Sequence, residues 1–121
     1  MSDDPDGGDD PSIREYDKLV RDRIPETIRA TDETPVTRRV DGEELQRYLL
    51  DKLVEEATEA RDAGSDPAES VDAELADLAA VLDTLVERRG RDRVARLRRE
   101  KRGERGEFDD GVVLERVRED G

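Results

Sequence analysis

Apolar residues fall at threes and fours from Asp41 or Gly42 to about Arg61, where Leu45, Leu49, Leu53, Ala57 and Ala60 share one arc of a helical wheel turned by about 100° per residue. That pattern predicts a long helix. Beyond it, DAGSDP at 62 to 67 is a connector in which Gly64 and Pro67 stop one helix and start another. Asp66 offers the cap, and Glu69 sits three residues on, the capping-box arrangement. Val71, Leu75, Leu78, Leu82 and Leu85 then form a second stripe, predicting a helix that runs to about Arg89 and stops at Gly90. So short a link predicts that the two helices lie antiparallel as a hairpin.

Shorter elements flank the hairpin. Pro25 suits the first turn of a short helix through about Ala30, and Val94 and Leu97 mark a further helix from about Asp92 to Arg102. KRGERGEFDDG, from 101 to 111, reads as a loop broken by glycines. PVTRRV at 35 to 40 and VVLERV at 112 to 117 read as short strands that would pair in a small sheet beside the helices. MSDDPDGGDDPS, residues 1 to 12, is acidic and rich in Gly and Pro and reads as a disordered tail, leaving 13–121 as a single domain. The predicted class is mainly α, an antiparallel helical bundle with a small two-stranded β element.

Acids interrupt both helical patterns. On the first long helix Glu56 lies at the edge of the apolar arc, with Glu59 and Glu55 successively further round, so the three carboxylates stack over about one turn. On the second, Glu74 falls inside the arc drawn by Val71, Leu78, Leu82 and Leu85, and Asp77 follows one turn later. An acid placed there is removed from water and needs a positive partner. Five carboxylates converging between two helices repel one another unless a cation sits among them. Mg2+ suits such a site: it is hard, takes oxygen ligands, and bridges protein carboxylates to phosphates. A solvated face accounts for some of the same acids, since Lys52 can pair with Glu55 or Glu56 along the helix surface.

Composition narrows the chemistry. The chain has 121 residues, of which 32% are apolar and 47% charged, so the case for a fold comes from periodicity. With no Cys and no His, disulfides, thiolate catalysis and imidazole bases or ligands are excluded, and carboxylate chemistry remains. The net charge of -13 disfavours nucleic acid and anionic membranes as partners. Basic residues are Arg except for Lys18, Lys52 and Lys101, and with abundant Asp this composition resembles proteins of salt-loving archaea, whose cytoplasmic salt screens surface charge. No apolar run approaches a membrane span and the amino terminus lacks the features of a secretion signal, so the expectation is a soluble, cytoplasmic protein.

KLVEEATEA at 52 to 60, followed by ELAD at 74 to 77, resembles the signature of the MazG-like, all-α nucleoside triphosphate pyrophosphohydrolases, in which E-E-x-x-E on one helix faces E-x-x-D on the next. REYDKLVRDRIPETI near the start and GEFDDGVVLERV near the end are similar to a small archaeal and bacterial branch of that superfamily, of the house-cleaning, phosphoribosyl-ATP pyrophosphohydrolase-like kind. The resemblance spans residues 13 to 118. It implies the helical bundle of that superfamily and hydrolysis of a nucleoside triphosphate between the α and β phosphates, giving the monophosphate and pyrophosphate. It further implies Mg2+, with Mn2+ as a substitute, held by Glu56, Glu59, Glu74 and Asp77, and Glu55 or Glu59 as the group that orients or deprotonates the attacking water. Assembly as a homodimer or homotetramer is also implied. Phosphoribosyl-ATP pyrophosphohydrolysis in histidine biosynthesis is the alternative reaction, and a non-catalytic acidic module that binds a partner or dimerises is the alternative outside enzymes.

Phosphates beyond the reach of a metal need cationic donors. Lys18, Arg21 and Arg23 in YDKLVRDR are one candidate group, unless they serve only to pair with Asp17, Asp22 and Glu26. Lys101, Arg102 and Arg105 are a second, on the expected loop where Gly103 and Gly106 would free the backbone. Tyr16 is the candidate for a base or ribose contact, and Phe108 is expected to plug the core.

Overall fold

A computed structural model describes residues 12–120 of the chain. The tail expected at residues 1 to 12 lies, apart from Ser12, outside the described residues. Four helices follow in order: α1 (Ile24–Arg29), α2 (Gly42–Ala63), α3 (Val71–Arg89) and α4 (Arg91–Arg105). The chain divides into two compact units, one ending at Leu85 and the other beginning at Val86 within the last turns of α3.

α1 is a single six-residue element opened by Pro25 in its first turn, where the missing N–H costs nothing. α2 begins at Gly42, whose φ of +56° belongs to the left-handed region that glycine enters without strain. It carries Glu43 and Glu44 in its first turn and Arg61 in its last, the arrangement that complements the helix dipole. The connector behaves differently from the capping-box reading. Asp66 Oδ1 accepts from the N–H of Ala68, two residues on, and closes a local turn. Ser70 Oγ instead accepts from the Ala73 N–H at 3.1 Å, and α3 starts at Val71.

The hairpin core is narrow. Tyr48, Leu49 and Ala63 from α2 and Leu85 from α3 are the buried apolar residues, and no side chain is fully enclosed among the described residues. Leu49, Glu56 and Ala63, at intervals of seven, define the inward line of α2, whereas Ala57 is exposed. On α3 the inward residues are Glu74, Asp77, Leu78, Val81 and Leu85, while Val71, Leu75 and Leu82 face outward. Both helices are thus rotated from the arcs drawn by apolar spacing. The rotation puts acids on the inside.

The expected two-stranded β element is absent: no strand occurs among the described residues. PVTRRV and VVLERV take up no regular structure, they fall in different units, and Val36, Val112, Val113, Leu114 and Val117 are each at least 78% exposed. A two-stranded ribbon has too little apolar cover to stand alone in water. Arg38 is also committed elsewhere, donating to Glu44 Oε2 at 3.1 Å and to the Tyr48 hydroxyl at 3.0 Å, which ties its segment to α2.

In the second unit, Gly90 with φ of +110° makes the break between α3 and α4. α4 runs through Gly103 to Arg105, so KRGER is helical and the glycine-broken loop begins only at Gly106. Arg and Lys at eight of its positions favour helix strongly enough to carry one internal glycine. Phe108 is 96% exposed and plugs no core.

Candidate functional site

The site is built on α2 and α3 within the first unit. Glu55, Glu56 and Glu59 bring one carboxylate oxygen each to within 4.8 Å of one another, and Glu56, Glu74 and Asp77 form a second such group. Glu56 belongs to both, so the two groups are one cluster joined at its most buried member. Successive turns of α2 supply the first group, and one turn of α3 supplies Glu74 and Asp77.

Glu56 is 6% exposed. Its Oε1 lies 3.4 Å from Lys52 Nζ, but its Oε2, like Oε2 of Glu74, is buried with no hydrogen-bond partner. A buried carboxylate oxygen left without a donor is costly. Burial pushes the Glu56 carboxyl above its ordinary value, and the hydrogen bond and charge of Glu59 push it the same way, against the weaker pull of Lys52. At Glu55 burial also opposes ionisation, but the hydrogen bond and charge of Lys52, followed by those of Lys18, outweigh it and hold the carboxyl below its ordinary value. Burial likewise opposes the charge on Lys52, and the hydrogen bond and charge of Glu55 overcome it, leaving the ammonium above its usual range.

The residues present fit a hard divalent cation. All donors are carboxylate oxygens, and two of the buried ones lack any other partner. Oxygens sharing an octahedral Mg2+ at about 2.1 Å stand roughly 3.0–4.2 Å apart, so groups within 4.8 Å need only small side-chain adjustments to converge.

Cations reach the rim of this cluster from the amino-terminal segment. Lys18 Nζ lies 3.6 Å from Glu55 Oε2, and Arg21 Nη2 donates to Asp77 Oδ1 at 2.8 Å. Arg23 stands at the N-cap of α1 with its side chain exposed and makes no ion pair among the described residues. Tyr16 is 69% exposed with Lys18 Nζ 5.5 Å from its ring centre. Lys101, Arg102 and Arg105 lie on the last turns of α4 in the second unit, where they line an open cavity of about 640 Å3 with Leu97 and Phe108.

Sequence reasoning missed Tyr48. Its hydroxyl donates to Asp17 Oδ1 at 2.5 Å while accepting from Arg38, and Arg47 stacks 4.7 Å from its ring centre. The available signal was the row Tyr48, Lys52, Glu56 at intervals of four, which places an aromatic and a lysine directly below the buried acid.

No known protein-family model matches the chain, and no solved structure matches it. An uncharacterised protein of Mycolicibacterium smegmatis is 52% identical over 46 residues, which cover 38% of this chain and 47% of that protein. The match therefore spans about half the length of that relative. The all-α fold is broadly consistent with the all-α nucleoside triphosphate pyrophosphohydrolase-like superfamily. No helix among the described residues is long and apolar enough to cross a membrane.

Proposed function

We propose that the chain is a Mg2+-dependent nucleoside triphosphate pyrophosphohydrolase of the house-cleaning kind, cleaving between the α and β phosphates to release a monophosphate and pyrophosphate. The observation that carries this reading is the pair of carboxylates Glu56 and Glu74, brought together from two helices with one buried, unpartnered oxygen on each. An acidic module built only for structure would pair those oxygens with Arg or Lys. Glu74 Oε2 has no such partner.

Glu56, Glu59, Glu74 and Asp77 are the residues that would hold the metal, which when bound neutralises phosphate charge and acidifies water. Glu55 and Glu59 are the candidates for orienting and deprotonating the attacking water. Glu55 is held ionised by Lys52 and Lys18, which favours orientation, and the exposed Glu59 has the access to bulk water that passing a proton on requires. Lys18 and Arg21 stand where phosphate oxygens would approach the rim, and their exposed cations can re-aim at low cost. The archaeal branch, a halophilic setting and assembly as a homodimer or homotetramer belong to the same proposal.

The test is pyrophosphate release from standard, deaminated and oxidised nucleoside triphosphates and from phosphoribosyl-ATP, in molar KCl with and without Mg2+. Glu56→Gln and Glu74→Gln are expected to lower metal-dependent release at least about 100-fold while keeping their helical content. Turnover that survives both substitutions, or that ignores chelation of the metal, would exclude this reading.

A further inference from the structure

The segment from Tyr16 to Arg21 belongs to no helix or strand, bends at Lys18 and lies across the acidic cluster, touching both helices of the hairpin. Asp17 is fastened to Tyr48 on α2, Lys18 reaches Glu55 on α2, and Arg21 reaches Asp77 on α3. The fastening is well built. Tyr48 is 8% exposed, and its hydroxyl donates to Asp17 and accepts from Arg38, so both of its hydrogen-bonding roles are filled. The cations it delivers are not buried: the Lys18 and Arg21 side chains are 43% and 62% exposed, whereas that of Lys52 is 16% exposed between Glu55 and Glu56. Lys52 is a fixed counterion and the strap carries two movable ones.

Formally, five carboxylates (Glu55, Glu56, Glu59, Glu74 and Asp77) meet three cations (Lys18, Arg21 and Lys52), a deficit of two positive charges. The deficit falls at the interior, where Glu56 and Glu74 each keep an orphaned oxygen. A divalent cation entering by itself would meet a rim already neutralised by Lys18 and Arg21 and would repel them. A divalent cation entering with a polyphosphate brings anionic oxygens that take over both side chains as it takes over the carboxylates.

Resting on the metal reading above, we propose that residues 16 to 21 are a strap latched by the Asp17–Tyr48 hydrogen bond. Its Lys18 and Arg21 are exchangeable counterions of the cluster, so that the site takes a divalent cation–polyphosphate complex in preference to the cation alone. Tyr48 acts as a positioning residue, through Asp17, for two phosphate-facing cations.

Removing a strap cation has effects of opposite sign on two ligands, which a general structural defect does not produce. Mn2+ alone, followed through the paramagnetic signal of the free ion, is expected to bind Lys18→Met and Arg21→Met about two- to fivefold more tightly than the native chain. The preformed Mn2+ complex of imidodiphosphate, a hydrolysis-resistant polyphosphate, is expected to bind both variants more weakly by a similar factor. Tyr48→Phe, which keeps the ring and removes the latch, moves both affinities in the same directions as the strap variants. Arg96→Met removes an exposed cation paired with Glu100 on α4, outside the strap, and changes neither. Far-ultraviolet dichroism confirms that each variant is folded.

Mn2+ bound equally by the native chain and both strap variants would overturn the counterion role and leave the metal reading standing. An Arg96→Met effect as large as theirs would reduce the result to net charge and overturn it as well. Unchanged affinities in Tyr48→Phe would overturn the latch. Mn2+ bound by none of these proteins would remove the metal reading and the strap together.

Discussion

Glu56 concentrates the conflict on which this site turns, because it is the buried acid shared by both carboxylate groups. Burial first, and then Glu59, raise its pKa on folding, so the folded chain holds that proton more tightly than the unfolded one. Stability from this group is therefore present at acid pH and is lost as pH climbs from the ordinary carboxylate value through the raised one. Glu55 works in the opposite sense: its lowered pKa contributes stability above the ordinary value that disappears as pH falls through the lowered one. Glu56→Gln is expected to flatten the loss of stability on the way to neutrality. At pH 7 without divalent cation it should raise the unfolding free energy by about 1 kcal/mol in urea titrations. Added Mg2+ should stabilise the native chain and leave the variant unchanged. A destabilised Glu56→Gln at pH 7 would show that the Lys52 pair outweighs burial and Glu59 together.

At the scale of elements, the inward faces of α2 and α3 are thin, and single apolar contacts carry correspondingly more of the hairpin. Leu85 is 6% exposed and Leu82 is 48% exposed, although both belong to the same apolar stripe in the sequence. Leu85→Ala is expected to cost about 2–3 kcal/mol and Leu82→Ala less than about 1 kcal/mol, measured from denaturation midpoints. The start of α3 gives a second contrast. Ser70→Ala removes the oxygen that accepts from Ala73 and should cost about 1 kcal/mol, while Asp66→Ala should cost less because it closes only a local turn. If the two caps ranked the other way, the helix would begin at the earlier site.

At the scale of the whole molecule, charge and exposed apolar surface pull against each other. A net charge of -13 repels itself, and KCl at molar concentration shortens the screening length to about 3 Å, so stability should rise with salt. The chain nevertheless leaves Leu50, Val54, Leu75, Leu82 and, further along, Val112 to Leu114 open to solvent. Under the proposed assembly, sedimentation in molar KCl should show a dimer or tetramer. Val54→Glu and Leu82→Glu should shift it toward monomer without loss of helix. A native chain that sediments as a monomer at all concentrations would remove assembly from the proposal.

Local chemistry along the chain determined a good deal: the extent of α2, the end of α3, the glycine breaks near Gly64 and at Gly90, and the pairing of E-E-x-x-E with E-x-x-D. These are legible because helix periodicity and backbone preference act over a few residues. Spacing relates residues to one another around a helix but does not set how the helix is turned toward its neighbour. That angle came from packing, which moved Glu56 from the edge of an arc to its centre and turned Leu82 and Ala57 outward. The missing sheet, the shift of the cap from Asp66 to Ser70, the extension of α4 through Gly103 and the latch of Asp17 on Tyr48 likewise depended on competing partners. Those partners are separated by up to 31 residues in the case of the latch, a distance at which only the folded chain decides which of several satisfactory contacts forms.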